Sequence, residues 1–258
     1  MKEKYQNITN KIWSCSAIVV ILVIWQLVSM AGIIENFMLP SPVQVIKAFV
    51  NEMPILMEHS AVTLTEAFIG LFLGVILGFI MAVLMDSFNG LYRAFYPMII
   101  LSQTIPTVAI APLLVLWFGY EMTPKIILIV ITTFFPIAVG MLNGFKSVDN
   151  DEINLLKSMG ASKYQVFFYI KLPSSLSQFF AGLKISASYA VVGAVISEWL
   201  GGFSGLGVYM TRVKKAFAFD KMFAVIFLIS LISLLLMKGV ELLQKKCMKW
   251  ENSEENVG

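Results

Sequence analysis

Apolar residues in this chain do not alternate with polar ones; they run in long blocks separated by short polar stretches. Crossing the hydrocarbon of a bilayer as a helix takes roughly 20 mostly apolar residues. Six blocks meet or approach that length, at 12–34, 64–85, 97–118, 124–145, 179–200 and 219–243. In lipid the backbone must satisfy its own N–H and C=O groups, and long runs without period-two alternation select helix over strand. The pattern predicts an all-α integral membrane protein with six transmembrane helices. Its expected organisation is an N-terminal segment over 1–11, a six-span domain over 12–245 with its longest connection at 146–178, and a polar tail over 246–258. The first block follows Lys2, Lys4 and Lys11 and is longer than a signal-peptide core, so it reads as an uncleaved anchor.

Composition agrees with that picture. Hydrophobic residues make up 58% of the chain and charged ones only 14%, against roughly a quarter charged in a soluble domain. Cys15 and Cys247 lie near opposite ends and suggest neither a disulfide framework nor a metal site. His59 is the single histidine and reads as an interfacial residue. No cofactor, metal or nucleic acid is expected. With the N-terminus inside, every Lys and Arg falls on the cytoplasmic side except Lys47, Lys125, Arg212, Lys214, Lys215 and Lys221. That bias places both termini in the cytoplasm.

The connection at 146–178 carries KSMGASKYQVFFYIKLPSSL over 157–176. Asp149, Asn150 and Asp151 suit the start of a helix, where a side-chain oxygen and negative charge are both favoured. Gly160 falls where that helix would need a left-handed residue. Ser162 is placed to cap a second helix and Pro173 to block its continuation. The second helix is apolar nearly all round, through Tyr164, Val166, Phe167, Phe168, Tyr169, Ile170 and Leu172, so it must be covered on several faces. The cover is either a socket on another protein together with the chain's own spans, or the lipid headgroups.

Gly160 followed by Ile170-Lys171-Leu172-Pro173 resembles part of the signature loop of bacterial binding-protein-dependent ABC importer permeases. LPSPVQVIKAF (39–49), SQTIPTVAIAPLLVLWFG (102–119) and ISEWLGGFSGLGVYM (196–210) resemble, in the same order, segments of the permeases for nitrate, sulfonates, taurine and thiamine-precursor pyrimidines. The resemblance implies a type I importer fold, in which the loop is a pair of coupling helices inserted into a cytoplasmic ATPase. It implies coupling roles for Glu152, Asn154, Gly160, Ala161, Ser162, Tyr164, Phe167, Ile170, Leu172 and Pro173. The chain departs from the family upstream of the glycine: the Glu-Ala-Ala of the pattern is Asn154, Leu155 and Leu156 here, and Glu152 stands two places early. The implied partners are two ABC ATPase subunits, an extracytoplasmic solute-binding protein, a second permease copy as a homodimer, and membrane lipid. The implied location is the bacterial cytoplasmic membrane.

Polar groups within spans are the candidates for a translocation path. Gln103, Thr104 and Thr107 surround Pro106, where a proline frees backbone carbonyls; the site reads either as a path wall or as a structural kink. Glu198 either lines the path or pairs locally with the Arg212, Lys214 and Lys215 cluster. Ser186, Ser188 and Ser197 serve the path or close helix packing. The same basic cluster, with Lys221, either meets carboxylates of the binding protein or is solvated. GMLNGFKS (140–147) is one residue short of a phosphate-binding loop and ends a span, so no ATP site is expected in the chain. The expected function is transport of a small solute, a thiamine-precursor pyrimidine by the 196–210 segment, with sulfonate, taurine, nitrate or riboflavin-type solutes as alternatives. A secondary transporter would need an inverted repeat and paired intramembrane ionisable groups, and the sequence suggests neither.

Overall fold

The computed structural model describes residues 2–32, 34–35 and 37–248, with side chains described at 13 and from 16 onward. Residues 249–258 of the expected tail, and the side chains of Lys2, Lys4, Lys11 and Cys15, lie outside the described residues. The described chain is helical, with no strand: α1 (Lys2–Met30), α2 (Pro42–Asn51), α3 (Met53–Ser87), α4 (Asn89–Thr104), α5 (Thr107–Phe118), α6 (Met122–Lys146), α7 (Asn150–Ser158), α8 (Lys163–Val166), α9 (Leu172–Leu200), α10 (Leu206–Lys215) and α11 (Phe219–Cys247). The helices group into two compact units, one of residues up to Glu58 with Tyr209–Leu228, the other of His59–Val208 with residues from Ile229 on.

Among the described residues, four stretches are each long and apolar enough to cross a membrane as one helix: α3, α6, the continuous run Lys163–Leu200, and α11. The block expected at 97–118 is not one straight helix: α4 and α5 are apolar enough to span only as a pair, broken between them. α4 and α5 meet at a 99° bend. Pro106 has no N–H to give, and the residue before it, Ile105, is extended at φ −83°, ψ 121°, as the steric demand of a following proline requires. In the first block α1 ends at Met30, short of the expected boundary at 34, and among the described residues its apolar part is Ser16–Met30.

Pro173 was expected to stop the helix begun at Ser162, and it does not. α8 widens into a π-helical segment, Phe167–Lys171, and runs straight into α9, with Pro173 in the first turn of α9. Within the π segment the Leu172 N–H reaches the Phe167 carbonyl, one residue further back than in an α-helix. That register shift accommodates a residue with no donor, because Pro is tolerated where a helical N–H is not needed. The fifth span is therefore joined rigidly to the preceding turn.

The second unit is built around α6. Along one side, Gly70, Gly74 and Gly78 of α3 face Ile129, Thr133 and Ile137; a Cβ at Gly70 would lie 2.5 Å from the Ile129 Cβ, and one at Gly78 would lie 2.9 Å from the Ile137 Cβ. Along another, Gly144 abuts Ser175 of α9, and Gly182 of α9 abuts the Pro136 carbonyl. Small residues at four-residue spacing let helix backbones approach closely in lipid, where apolar burial alone drives nothing together. In the first unit, Trp25 of α1 stacks on Phe227 at 6.0 Å and donates its indole N–H to the Pro40 carbonyl.

Candidate coupling turn, broken-span cleft and loop clasp

The turn between α7 and α8 follows from local rules. Asp149 Oδ1 accepts the Asp151 N–H at 2.9 Å and caps α7, while Asp151 and Glu152 occupy its first turn. At the other end Gly160 takes φ +86°. Its N–H reaches the Lys157 carbonyl (2.9 Å) and the Ala161 N–H the Leu156 carbonyl (3.1 Å), the paired bonds of a Schellman cap. Ser162 and Gln165 then form a capping box: the Ser162 N–H donates to Gln165 Oε1 (2.7 Å) and the Gln165 N–H to Ser162 Oγ (3.3 Å).

Of the residues with implied coupling roles, Glu152, Asn154, Gly160, Ser162 and Tyr164 are exposed, and Ala161 is half-buried. Phe167, Ile170, Leu172 and Pro173 are half-buried, and Phe167 packs on Phe145 of α6 at 5.5 Å. The outward apolar face consists of Leu155, Met159, Tyr164 (78% exposed), Phe168 and Tyr169 (71%). Lys171 is tied to Asp86 at 2.8 Å. The chain's own spans thus cover one side of this helix and leave the other bare.

At the α4–α5 break, Gln103 and Thr107 line a cleft of 310 Å³ with Ser102, Thr132 and Tyr189. Thr104 does not line it; its hydroxyl donates to the Leu101 carbonyl (2.8 Å). Ser186 and Ser197 are also absent from its walls. Ser186 is buried and donates to the Thr133 carbonyl at 2.8 Å, joining α9 to α6, while Ser197 donates to the Ala194 carbonyl.

Glu198 is 1% exposed and pairs locally, within the second unit. Thr63 Oγ1 donates to Glu198 Oε1 at 2.7 Å, and the Gly207 N–H donates to Oε2 at 2.6 Å. The Leu206 N–H donates to Thr63 Oγ1 (2.9 Å) and the Gly205 N–H to His59 Nδ1 (3.0 Å). Three successive amides at the start of α10, which have no intrahelical acceptor, are thereby taken by side chains of α3 and α9. Gly205 holds φ +124°, a conformation that L side chains avoid, and a Cβ there would strike the Glu198 carboxyl. His59, read as interfacial, is instead buried in this clasp.

Lys125, read as an outward cation, is buried too, with its Nζ 2.6 Å from Glu66 Oε1. The reading that the spans hold no paired ionisable groups is thus corrected, since this pair joins α3 to α6. The signal was available: Glu66 stands inside the second apolar block, where a carboxylate is costly and marks a site by default. Thr63 and His59 carried no such mark.

In the first unit, Arg212, Lys214 and Lys215 are exposed on α10. Lys221 is internally engaged: Glu52 bonds both Lys221 Nζ (2.5 Å) and the Tyr209 hydroxyl (2.8 Å). The hydrogen bonds from Lys221 and Tyr209 hold the Glu52 carboxyl below its ordinary range. Burial, and then the bond to Glu52, push the Tyr209 hydroxyl well above its own.

Several apolar spans, one of them broken around a polar cleft, and a bare apolar turn rigidly joined to a span define a multi-pass membrane permease. The chain belongs to the family of binding-protein-dependent transport system inner membrane components, whose pattern matches residues 74–249. It is the transmembrane permease subunit of an ABC importer. It is 35% identical to the formylaminopyrimidine transport permease protein ThiX of Halalkalibacterium halodurans, over 98% of this chain and 100% of that protein. It is 34% identical to the riboflavin transport system permease protein RibX of Chloroflexus aurantiacus, over 92% of this chain and 89% of that one. Its fold is shared with the inward-facing MetNI methionine ABC transporter, at TM-score 0.67 and 18% identity over 76% of this chain and 97% of that one.

Proposed function

We propose that this permease carries a thiamine-precursor pyrimidine across the bacterial cytoplasmic membrane as a homodimer, driven by two cytoplasmic ATPase subunits and loaded by an extracytoplasmic binding protein. ATP hydrolysis resides in the ATPase subunits. The observation that carries this reading is the bare apolar face Leu155, Met159, Tyr164, Phe168 and Tyr169, set on a doubly capped turn and continuous with a span. Exposed aromatics on a rigid element suit insertion into a protein socket. Glu152, exposed in the first turn of α7, offers a carboxylate near the place where the family pattern has its own. End-to-end similarity to a permease named for formylaminopyrimidine supports the solute class, and the distribution of Lys and Arg supports cytoplasmic termini and a cytoplasmic turn. The exposed Arg212, Lys214 and Lys215 supply a cationic rim for carboxylates of the binding protein.

In this mechanism the ATPases grip the turn. Closure on ATP moves it as a lever, and because α8, the π segment and α9 are one continuous helix, the displacement passes directly into the fifth span. A ligand shifts a conformational equilibrium only through contacts that differ between the two states, so the grip must change as the ATPases close. The test is reconstitution of permease, ATPase and binding protein in proteoliposomes, with uptake of labelled formylaminopyrimidine as readout. Uptake that requires ATP and stops with a hydrolysis-deficient ATPase is expected. Uptake indifferent to hydrolysis would overturn the reading.

A further inference from the structure

The cleft at the broken span has a chemistry of its own. Its volume, 310 Å³, falls within the range of small-molecule sites, roughly 300–1,000 Å³, and admits a single ring. Among its described lining residues there is no Lys, Arg, His, Asp or Glu. An anion placed there would meet no opposite charge, and burying an unpaired charge is far costlier than burying a hydrogen-bonded neutral group.

The break also brings two helix ends together. Ser102 and Gln103 belong to the last turn of α4, whose final carbonyls lack intrahelical donors, and Thr107 opens α5, which has no side-chain cap. The two ends carry opposite partial charges of about half an elementary charge each. Side by side they favour neither anion nor cation, but suit a neutral edge that presents an acceptor beside a donor. Broken helices in other transporters place solute groups at such ends.

Three side chains in the cleft have polar atoms to spare. Ser102 and Thr132 spend their hydroxyl protons on carbonyls of their own helices, those of Ile99 and Ile129. No side-chain hydrogen bond among the described residues engages Gln103, Thr107 or Tyr189. Gln103 offers an amide that donates and accepts at once, and Tyr189, half-exposed on α9, offers an aromatic face.

We propose that this cleft is a specificity site for a neutral, single-ring nitrogen heterocycle with adjacent donor and acceptor groups. Gln103 and the helix ends at Ile105–Thr107 read its edge, and Tyr189 stacks on its face. The inference rests on the permease reading above and adds a selection step in the membrane subunit itself, against anions.

The experiment uses the reconstituted importer with Gln103→Leu, Tyr189→Leu and Tyr189→Phe. Formylaminopyrimidine uptake and the ATPase activity stimulated by the loaded binding protein are measured on the same vesicles. Gln103→Leu and Tyr189→Leu are expected to lower uptake about tenfold, the scale of one lost hydrogen bond or stacking contact. Tyr189→Phe keeps the ring face and should transport normally. Stimulated ATPase should stay near wild type in all three, because coupling lies at the other end of the fifth span. Unchanged uptake in Gln103→Leu and Tyr189→Leu would overturn the site, as would ATPase falling in step with uptake. If the unsubstituted importer fails to transport the pyrimidine on ATP, the permease reading itself fails, which is a separate result.

Discussion

At the C-terminal end of α9, Glu198 is enclosed and both its oxygens are bonded to the chain. On the N-terminal side of the same helix run, Tyr164 and Tyr169 stand in the open with no apolar cover. One end buries polar groups and satisfies them; the other exposes apolar groups and leaves them bare. Burying a carboxylate is costly unless it is hydrogen-bonded, and both Glu198 oxygens are bonded within the chain, so the clasp is an internal device. Exposing large apolar side chains on a well-capped element is a cost unless something covers them, so the turn is a device that points outward. The contrast yields unequal responses to mutation, and these are ordered here by the expected loss of stability in the isolated permease.

Lys125→Met leaves the Glu66 carboxylate buried without its partner. The expected loss is about 3–5 kcal/mol, the scale for breaking one side of a buried ion pair. Thermal unfolding in detergent checks it, and Glu66→Leu with Lys125→Met together should recover most of the loss. Next comes Glu198→Leu, which strands the Gly207 N–H, while the Thr63 hydroxyl keeps the His59 carbonyl as an acceptor at 3.2 Å; a cost of about 1–3 kcal/mol is expected for the unmade bond. Glu198→Gln, which keeps one acceptor oxygen, should cost less.

Gly160→Val meets no steric obstacle, because a Cβ there has open space around it. It forces a β-branched residue to a left-handed φ, at about 1–2 kcal/mol. Assembly should survive while uptake and ATPase activity uncouple, as vesicle assays would reveal. The smallest effect is expected of Tyr164→Ala with Tyr169→Ala, within about 0.5 kcal/mol on the permease alone because neither side chain is packed. The ATPase should nevertheless release the double variant much more readily, as pull-down at graded ATPase concentration would report.

A pH scan gives a further check away from the spans. Glu52 has its folded-state pKa lowered from 4.5 by Lys221 and Tyr209. Its contribution is therefore complete above 4.5 and lost as pH falls below that value through the lowered pKa. Glu52→Gln should flatten this acid-side loss, measured as Tm against pH.

How much of this was legible beforehand divides along the same line. The coupling turn obeys short-range rules: Asp149, Gly160 and Ser162 each sit within a few residues of the groups they bond, so their roles could be read from spacing. Pro173 was misread because its effect depends on whether the preceding helix is α or π, which packing decides. The clasp was illegible for a different reason. Thr63 and Glu198 are separated by 135 positions and Glu66 and Lys125 by 59, and nothing in one sequence pairs them. Ser186 stood open between path and helix packing because its type suits both; the structure has its hydroxyl spent on the Thr133 carbonyl of α6.

The claim on which the account stands is that the bare turn faces the cytoplasm and is covered there by an ATPase. A single cysteine at Tyr164, with Cys15 and Cys247 replaced by serine, can be probed with a membrane-impermeant maleimide. The account predicts no labelling of intact cells, labelling after permeabilisation, and protection when the ATPase subunit is bound. Labelling of intact cells from outside would contradict it.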